Sequence, residues 1–170
     1  MGFLVCEPQL SEFDISVVCR GCHDATSAGG SDRSRRKKRV GMSFAENIQG
    51  LRVLVVEDDS LICLLLEDML SELGCQVVGT AGHIKRAIEL AQREESVDVA
   101  ILDVNLGDRQ VFPVADILAE RGVPFLFATG MGADALPANW LGHCSLQKPM
   151  SLESLGDALG RAIREQAKSD

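Results

Sequence analysis

The sequence predicts an α/β fold built on a doubly wound sheet of five parallel strands. Short apolar runs alternate along residues 51–167 with segments whose apolar residues recur at helical spacing. Apolar runs of this kind are typical of parallel strands that are buried on both faces. Five such units imply right-handed crossovers and a doubly wound sheet with the strand order 2-1-3-4-5.

Each element follows from its apolar pattern and from the residues that end it. The strands are predicted at 51–56, 75–79, 98–102, 124–128 and 144–147, and the longer helices at 60–73, 83–94, 111–121 and 152–167. Asp59 or Ser60 is expected to cap the first helix, and Gly74 follows its end. The connection after Thr129 has room only for a helix of one or two turns near 132–140, with Pro137 inside it.

Residues 1–50 are predicted to form a disordered N-terminal extension, and the folded domain to cover residues 51–167. The extension has no long periodic apolar segment, and it contains a Gly/Ser-rich stretch and a basic run over 33–39. Because Met42 stands shortly before the first strand, residues 1–41 are interpreted as the product of an upstream start assignment. A Cys-Arg-Gly-Cys-His stretch at 19–23 matches the haem-attachment pattern, and we interpret it as chance.

Composition limits the classes of function. The net charge is −8, and residues 51–170 carry 10 Lys and Arg against 19 Asp and Glu, which argues against general binding of nucleic acid. No apolar stretch is long enough for a transmembrane helix, and the N-terminus lacks the features of a signal peptide. We therefore expect a cytoplasmic protein that does not bind membranes and whose six cysteines are mostly free thiols.

Acidic residues follow two of the predicted strands. Glu57 and Asp58 come directly after the first strand, and Asp103 comes after the third. Because the first and third strands are neighbours in the predicted order, these three carboxylates can converge on one Mg²⁺ ion, which prefers oxygen ligands. Asp103 stands alone at its strand end, so it is the candidate nucleophile for a phosphoryl group.

The next two strands end in a hydroxyl and an ammonium. Thr129 follows the fourth strand and Lys148 the fifth, and both can bind the oxygens of a phosphoryl group on Asp103. A cis Lys148-Pro149 bond is expected, because a tight bend there would direct the ammonium inward. Each residue alone has an ordinary structural explanation, but their occurrence at the same end of four strands favours a phosphoryl site.

With these motifs in place, residues 51–167 resemble a receiver domain of two-component response regulators, which has a flavodoxin-like fold. The resemblance is carried by the acid pair Glu57-Asp58, by Ile101-Leu102-Asp103-Val104-Asn105, by Ala128-Thr129-Gly130 and by Gln147-Lys148-Pro149. It implies that Asp103 is the phosphoacceptor and that the backbone carbonyl of Asn105 is a further metal ligand. Pro124-Phe125-Leu126-Phe127-Ala128-Thr129-Gly130 is also similar to the signature of stand-alone "FAT GUY" receivers, with Met131 in place of their tyrosine.

The resemblance implies a single-domain response regulator in a phosphorelay. Such a protein takes a phosphoryl group from the phosphohistidine of a histidine kinase and signals by binding a downstream protein, and the similarity to FAT GUY receivers points to a kinase of the HWE type. It is not an enzyme in the usual sense, because it catalyses its own phosphotransfer and autodephosphorylation. No DNA-binding output domain is expected, and the protein is expected to be a monomer or a weak, phosphorylation-dependent dimer.

Two alternative functions compete with this one. A pseudo-receiver, which folds in the same way but is never phosphorylated, usually lacks an acid or the lysine, and none is missing here. A haloacid-type phosphatase needs a second Asp two residues after the nucleophile, where this chain has Asn105.

Most receivers also carry an aromatic residue, whose rotation reports phosphorylation, at the position where this chain has Ser145. We therefore expect the conformational change that follows phosphorylation to lie instead in the segment from Gly130 to Trp140.

Overall fold

The computed structural model describes residues 48–93, 96–132 and 136–167. The predicted disordered extension, the start at Met42 and the Cys-Arg-Gly-Cys-His stretch fall mostly or wholly on residues 1–47, which lie outside the described residues. They stay predictions.

The described residues form seven strands, four α-helices and one short 3₁₀ helix. The strands are β1 (Arg52–Val56), β2 (Gln76–Ala81), β3 (Val99–Asp103), β4 (Asn105–Leu106), β5 (Arg109–Gln110), β6 (Phe125–Thr129) and β7 (Ser145–Gln147). The α-helices are α1 (Ser60–Glu72), α2 (Ile84–Arg93), α3 (Phe112–Glu120) and α4 (Leu152–Gln166), and the 3₁₀ helix is Ala138–Trp140.

Five of the strands form one parallel sheet in the order β2-β1-β3-β6-β7. These are the five strands that the sequence predicts, so the doubly wound fold with order 2-1-3-4-5 is confirmed. β4 and β5 form a separate antiparallel hairpin between β3 and α3. The apolar pattern does not reveal this hairpin, because each of its strands is only two residues long.

The core consists of two apolar layers, one on each face of the sheet. Leu54 and Val56 of β1 pack in the layer that includes α2 and α3, whereas Val53 and Val55 pack in the layer that includes α1 and α4. Since alternate residues of a strand point to opposite faces, both sets are buried and the strand is apolar throughout. This is the physical reason for the uninterrupted apolar runs in the sequence.

The packed structure extends three residues ahead of the predicted boundary at residue 51. Ile48 is buried in the core layer of α1 and α4, at 1% exposure. The Gly50 N–H donates to the Gly74 carbonyl at 2.7 Å, just after α1 ends. A single buried side chain between polar neighbours gives no periodic signal, which is why the sequence pattern does not place this residue in the domain.

The ends of α1 agree with the sequence prediction. The Asp59 carboxylate caps the helix by accepting hydrogen bonds from the N–H groups of Leu61 and Ile62. Gly74 follows the helix with φ of +77°, a conformation that glycine adopts without steric cost.

The connection between β6 and β7 differs from the prediction. In its described part the only helical turn is the 3₁₀ helix, and Pro137 precedes this helix as its N-terminal cap instead of lying inside it. Proline has no N–H to donate within a helix, but its carbonyl can accept, and that of Pro137 accepts a hydrogen bond from the Trp140 N–H at 2.8 Å.

Candidate functional site

The register of β1 and β3 brings the acidic residues together. Val56 pairs with Leu102, so Glu57 and Asp103 stand one residue further along two neighbouring strands. Together with Asp58 they offer three carboxylate oxygens that all lie within 4.8 Å of one another. Glu57 and Asp103 are buried, at 3% and 8% exposure, while Asp58 is exposed.

Lys148 lies against two of these acids. Its Nζ donates to Glu57 Oε2 at 2.6 Å and to Asp103 Oδ2 at 2.9 Å. The Lys148 backbone is fixed by β6, because its N–H donates to the Thr129 carbonyl at 2.9 Å. The Lys148-Pro149 peptide bond is cis, as the sequence analysis predicts.

Burial and nearby charges shift the pKa values of Glu57 and Lys148. Burial raises the pKa of Glu57, and the nearby Asp103 carboxylate acts in the same direction, although the Lys148 hydrogen bond opposes both. Burial disfavours the charged form of Lys148, but the hydrogen bonds to Glu57 and Asp103 and the negative charges of these two acids together hold the pKa of Lys148 above its usual value. The lysine therefore stays charged and partly neutralises the acidic cluster.

A backbone N–H group donates to each of the three carboxylates. The Asp59 N–H donates to Glu57 Oε1 at 3.4 Å, and the Asn105 N–H donates to Asp103 Oδ1 at 3.3 Å. The N–H of Gly107, at the turn of the β4–β5 hairpin, donates to Asp58 Oδ2 at 2.8 Å. Sequence reasoning missed this role of Gly107, because the contact joins residues 49 positions apart through a main-chain group.

Thr129 lies at the end of β6, next to β3. Ala128 pairs with Asp103, so Thr129 stands one residue past the partner of Asp103 on the neighbouring strand. The threonine is buried at 2% exposure, and its Oγ1 accepts a hydrogen bond from the Met131 N–H at 3.1 Å. The hydroxyl is therefore linked to the loop that follows the strand, where the Met131 side chain is 74% exposed.

The donor set suits a hard divalent cation. Three carboxylates offer oxygen ligands, and Asn105 follows Asp103 by two residues at the same edge of the sheet. Mg²⁺ is usually held by one or two carboxylates, phosphate oxygens and water, and this set can supply the carboxylates. The structure thus joins Lys148 to Glu57 and Asp103 by hydrogen bonds and places an oxygen of Asp58 within 4.8 Å of both acids. Asn105 donates its N–H to Asp103, and Thr129 lies on the neighbouring strand.

Comparison with known proteins agrees with this geometry. Residues 53–159 match the family model described as the response regulator receiver domain. The chain belongs to the response regulator receiver family. Receiver domains typically bind Mg²⁺ at an acidic cluster, and Glu57, Asp58 and Asp103 form an acidic cluster here.

Two solution structures and one curated relative illustrate the similarity. SdrG from Sphingomonas melonis Fr1 is 38% identical, with a TM-score of 0.61 over 68% of this chain and 97% of SdrG. The BeF3-activated conformation of SdrG, from Pseudomonas melonis Fr1, is 37% identical, with a TM-score of 0.59 over 68% of this chain and 99% of that one. The transcriptional regulatory protein PdtaR of Mycobacterium tuberculosis is 34% identical over 66% of this chain.

The chain spans 56% of the length of PdtaR. Among the described residues, none of the receiver's helices combines the length and the apolar character needed to cross a membrane.

Proposed function

We propose that this receiver is a single-domain response regulator of the cytoplasm, which accepts a phosphoryl group on Asp103 in a Mg²⁺-dependent reaction. One observation carries the proposal. The buried Asp103 carboxylate lies within 4.8 Å of ligand oxygens of two further acids and 2.9 Å from a lysine ammonium. A nucleophile, a set of metal ligands and a cation for the phosphoryl oxygens thus occur together.

The chemistry follows from these contacts. An Asp103 oxygen forms a bond to phosphorus while the bond from phosphorus to the imidazole nitrogen of the donor breaks. Lys148 and the Thr129 hydroxyl then donate hydrogen bonds to the new phosphoryl oxygens. Mg²⁺ bound by Glu57, Asp58, Asp103 and the Asn105 carbonyl would neutralise charge on the transferred group.

The receiver carries this reaction out on itself. Asp103 is consumed by phosphorylation, and hydrolysis of the aspartyl-phosphate by water restores it. The protein is therefore a phosphoacceptor with self-catalysed phosphotransfer and autodephosphorylation, and not an enzyme that acts on a separate substrate.

A histidine kinase must bring its phosphohistidine to this edge of the sheet. Helix α1 begins directly after the acids and carries three exposed leucines, Leu61, Leu64 and Leu65, at 76%, 57% and 52% exposure. Residues three and four positions apart share a helix face, so these side chains form one apolar surface beside the site. We assign this surface to a helix of the phosphodonor, and the FAT GUY resemblance favours a donor of the HWE type.

Phosphotransfer from purified histidine kinases tests this surface. Leu64→Ser and Leu65→Ser should slow transfer from a kinase about tenfold, the loss expected for one apolar anchor. Labelling by acetyl phosphate should not change, because it needs no docking. Leu141→Ser, which alters an exposed leucine outside α1, is the matched control. Equal slowing by all three substitutions would contradict the assignment.

The main test is the phosphorylation of Asp103 itself. With acetyl phosphate and Mg²⁺ the parent protein should gain one phosphoryl group by intact mass, and the adduct should be stable in acid and labile in base. Asp103→Asn should abolish the gain, whereas Asp116→Asn, at an exposed acid of α3, should not. Labelling of Asp103→Asn to the parent level would overturn the proposal. A parent that stays unlabelled by acetyl phosphate and by every kinase would instead be a pseudo-receiver, an interaction module.

The phosphorylated receiver is proposed to signal through a downstream protein, as a monomer or a weak, phosphorylation-dependent dimer. Because Thr129 Oγ1 is bonded to the Met131 N–H, drawing the hydroxyl toward a phosphoryl group would disturb the loop after β6. That loop leads to Trp140, which is buried against Phe125 and Phe127. Most receivers have an aromatic ring at the position of Ser145, and this chain has none there. We therefore assign the conformational change on phosphorylation to the segment from the loop after β6 to Trp140.

Tryptophan fluorescence reports the switch directly, since Trp140 is the one tryptophan of the chain. Beryllofluoride with Mg²⁺ should change its emission, and SdrG, a structural relative, has a described BeF3-activated conformation. Thr129→Ala should remove most of the change while leaving Asp103 able to accept phosphate. If the Trp140 emission of the parent does not change when beryllofluoride and Mg²⁺ are added, this switch is ruled out.

A further inference from the structure

The β4–β5 hairpin directs two backbone N–H groups at two of the acids. The Asn105 N–H donates to Asp103 at 3.3 Å, and the Gly107 N–H donates to Asp58 at 2.8 Å. Asn105 lies in β4, and Gly107 lies in the turn that directly follows this strand. One short segment therefore restrains the phosphoacceptor and a metal-binding acid at the same time.

The hairpin has its own anchor in the core. Leu106 is buried at 5% exposure, and the flanking Val104 and Val111 are buried as well. The Val111 N–H donates to the Val104 carbonyl at 3.1 Å and closes the base of the hairpin. The turn is thus held in place independently of Asp58, whose exposed side chain is not fixed by packing.

Position 107 favours glycine because of its backbone conformation, and not because a side chain would clash with a neighbour. Its φ is +62°, in the left-handed region that other residues seldom adopt. A Cβ placed there would have nothing within 4 Å. Only the conformation of the turn, which aims the N–H at Asp58, distinguishes glycine from a larger residue at this position.

We propose that the hairpin is a positioning element for the metal ligands. The Gly107 N–H holds one oxygen of Asp58, and the other oxygen would then serve as a ligand of a divalent cation. Because this coupling is reciprocal, cation binding also stabilises the hairpin. The inference rests on the proposed function, since it assumes that the acidic cluster binds Mg²⁺.

The hydrogen bond is tested first without metal, by amide hydrogen exchange at position 107 measured by NMR. Asp58→Ala removes the acceptor and should speed exchange about tenfold, as loss of one hydrogen bond predicts. Asp58→Asn keeps an acceptor oxygen and should retain most of the protection. Equal exchange in the parent and in Asp58→Ala would overturn the inference even if the cluster binds Mg²⁺.

The coupling is tested next by titration with Mg²⁺. Gly107→Val disfavours the left-handed turn and should weaken Mg²⁺ binding about tenfold, as is typical when a group that orients a metal ligand is lost. Gly107→Asn should recover part of the affinity, because asparagine tolerates a positive φ. Asp108→Asn, in the same turn, is the control for charge.

The outcomes separate this inference from the proposed function. In the parent, added Mg²⁺ should slow amide exchange at position 107. If Gly107→Val binds Mg²⁺ as tightly as the parent does, the positioning role is contradicted and the phosphoacceptor proposal still stands. A parent that binds no Mg²⁺ would contradict the proposed function. If Gly107→Val does not fold, the exchange rates of the Asp58 variants still decide the question.

Discussion

Replacing Lys148 by methionine should destabilise the receiver, because the substitution leaves buried carboxylates without their cation. Lys148 Nζ lies 2.6 Å from Glu57 and 2.9 Å from Asp103, and the Glu57 side chain is only 1% exposed. Removing one partner of a buried ion pair costs about 3–5 kcal/mol. Since the lysine side chain is 17% exposed, solvent screens part of this interaction, and we expect a loss of about 3 kcal/mol.

Urea denaturation with and without Mg²⁺ measures this loss. A divalent cation at the acids replaces the missing charge, so Mg²⁺ should stabilise Lys148→Met more than it stabilises the parent. The double variant Glu57→Gln/Lys148→Met should recover stability relative to Lys148→Met alone, since no buried charge is left unpaired at position 57. Lys85→Met, at an exposed lysine of α2, is the matched control.

The reasoning would be refuted by a Lys148→Met variant within about 0.5 kcal/mol of the parent, the range of ordinary surface substitutions. It would also fail if the double variant were no more stable than the single one. The first outcome would mean that Lys148 contributes little to the stability of the resting fold, and the second that the loss does not come from an unpaired charge on Glu57.

Three further predictions concern the stability of the fold. Arg52 holds the pKa of Asp98 below its usual value, so Asp98→Asn should cost about 1 kcal/mol at neutral pH. That difference is present above about pH 4 and should vanish as the pH falls through the lowered pKa; a difference that persists in acid melts would contradict it. Gly156→Ala should raise stability to urea by about 0.5–1 kcal/mol, because a Cβ there meets Leu73 at 3.4 Å, an ordinary contact; a lower stability would mean that the added methyl does not fit. Ile48→Ala should lower the free energy of unfolding by about 2–4 kcal/mol, and no loss would show that the domain begins after this residue.

The sequence by itself determined the sheet and the edge at which the functional residues gather. Runs such as Val53–Val56 are apolar at every position, as in a strand that is covered on both faces, and their alternation with helical patterns predicts the doubly wound sheet. The functional residues are readable because they follow these strands directly. In a parallel sheet, following a strand places Glu57, Asp103 and Lys148 at the same edge.

Only the tertiary structure decided how the groups at that edge are paired. Both Glu57 and Asp58 are acids after one strand, yet the first is buried against Lys148 and the second is exposed and bonded to Gly107. Nothing in the local sequence separates them, because their partners lie 91 and 49 positions away. The β4–β5 hairpin and the burial of Ile48 are hidden for a related reason, since segments of two or three residues are too short to show a periodic pattern and are held in place by long-range contacts.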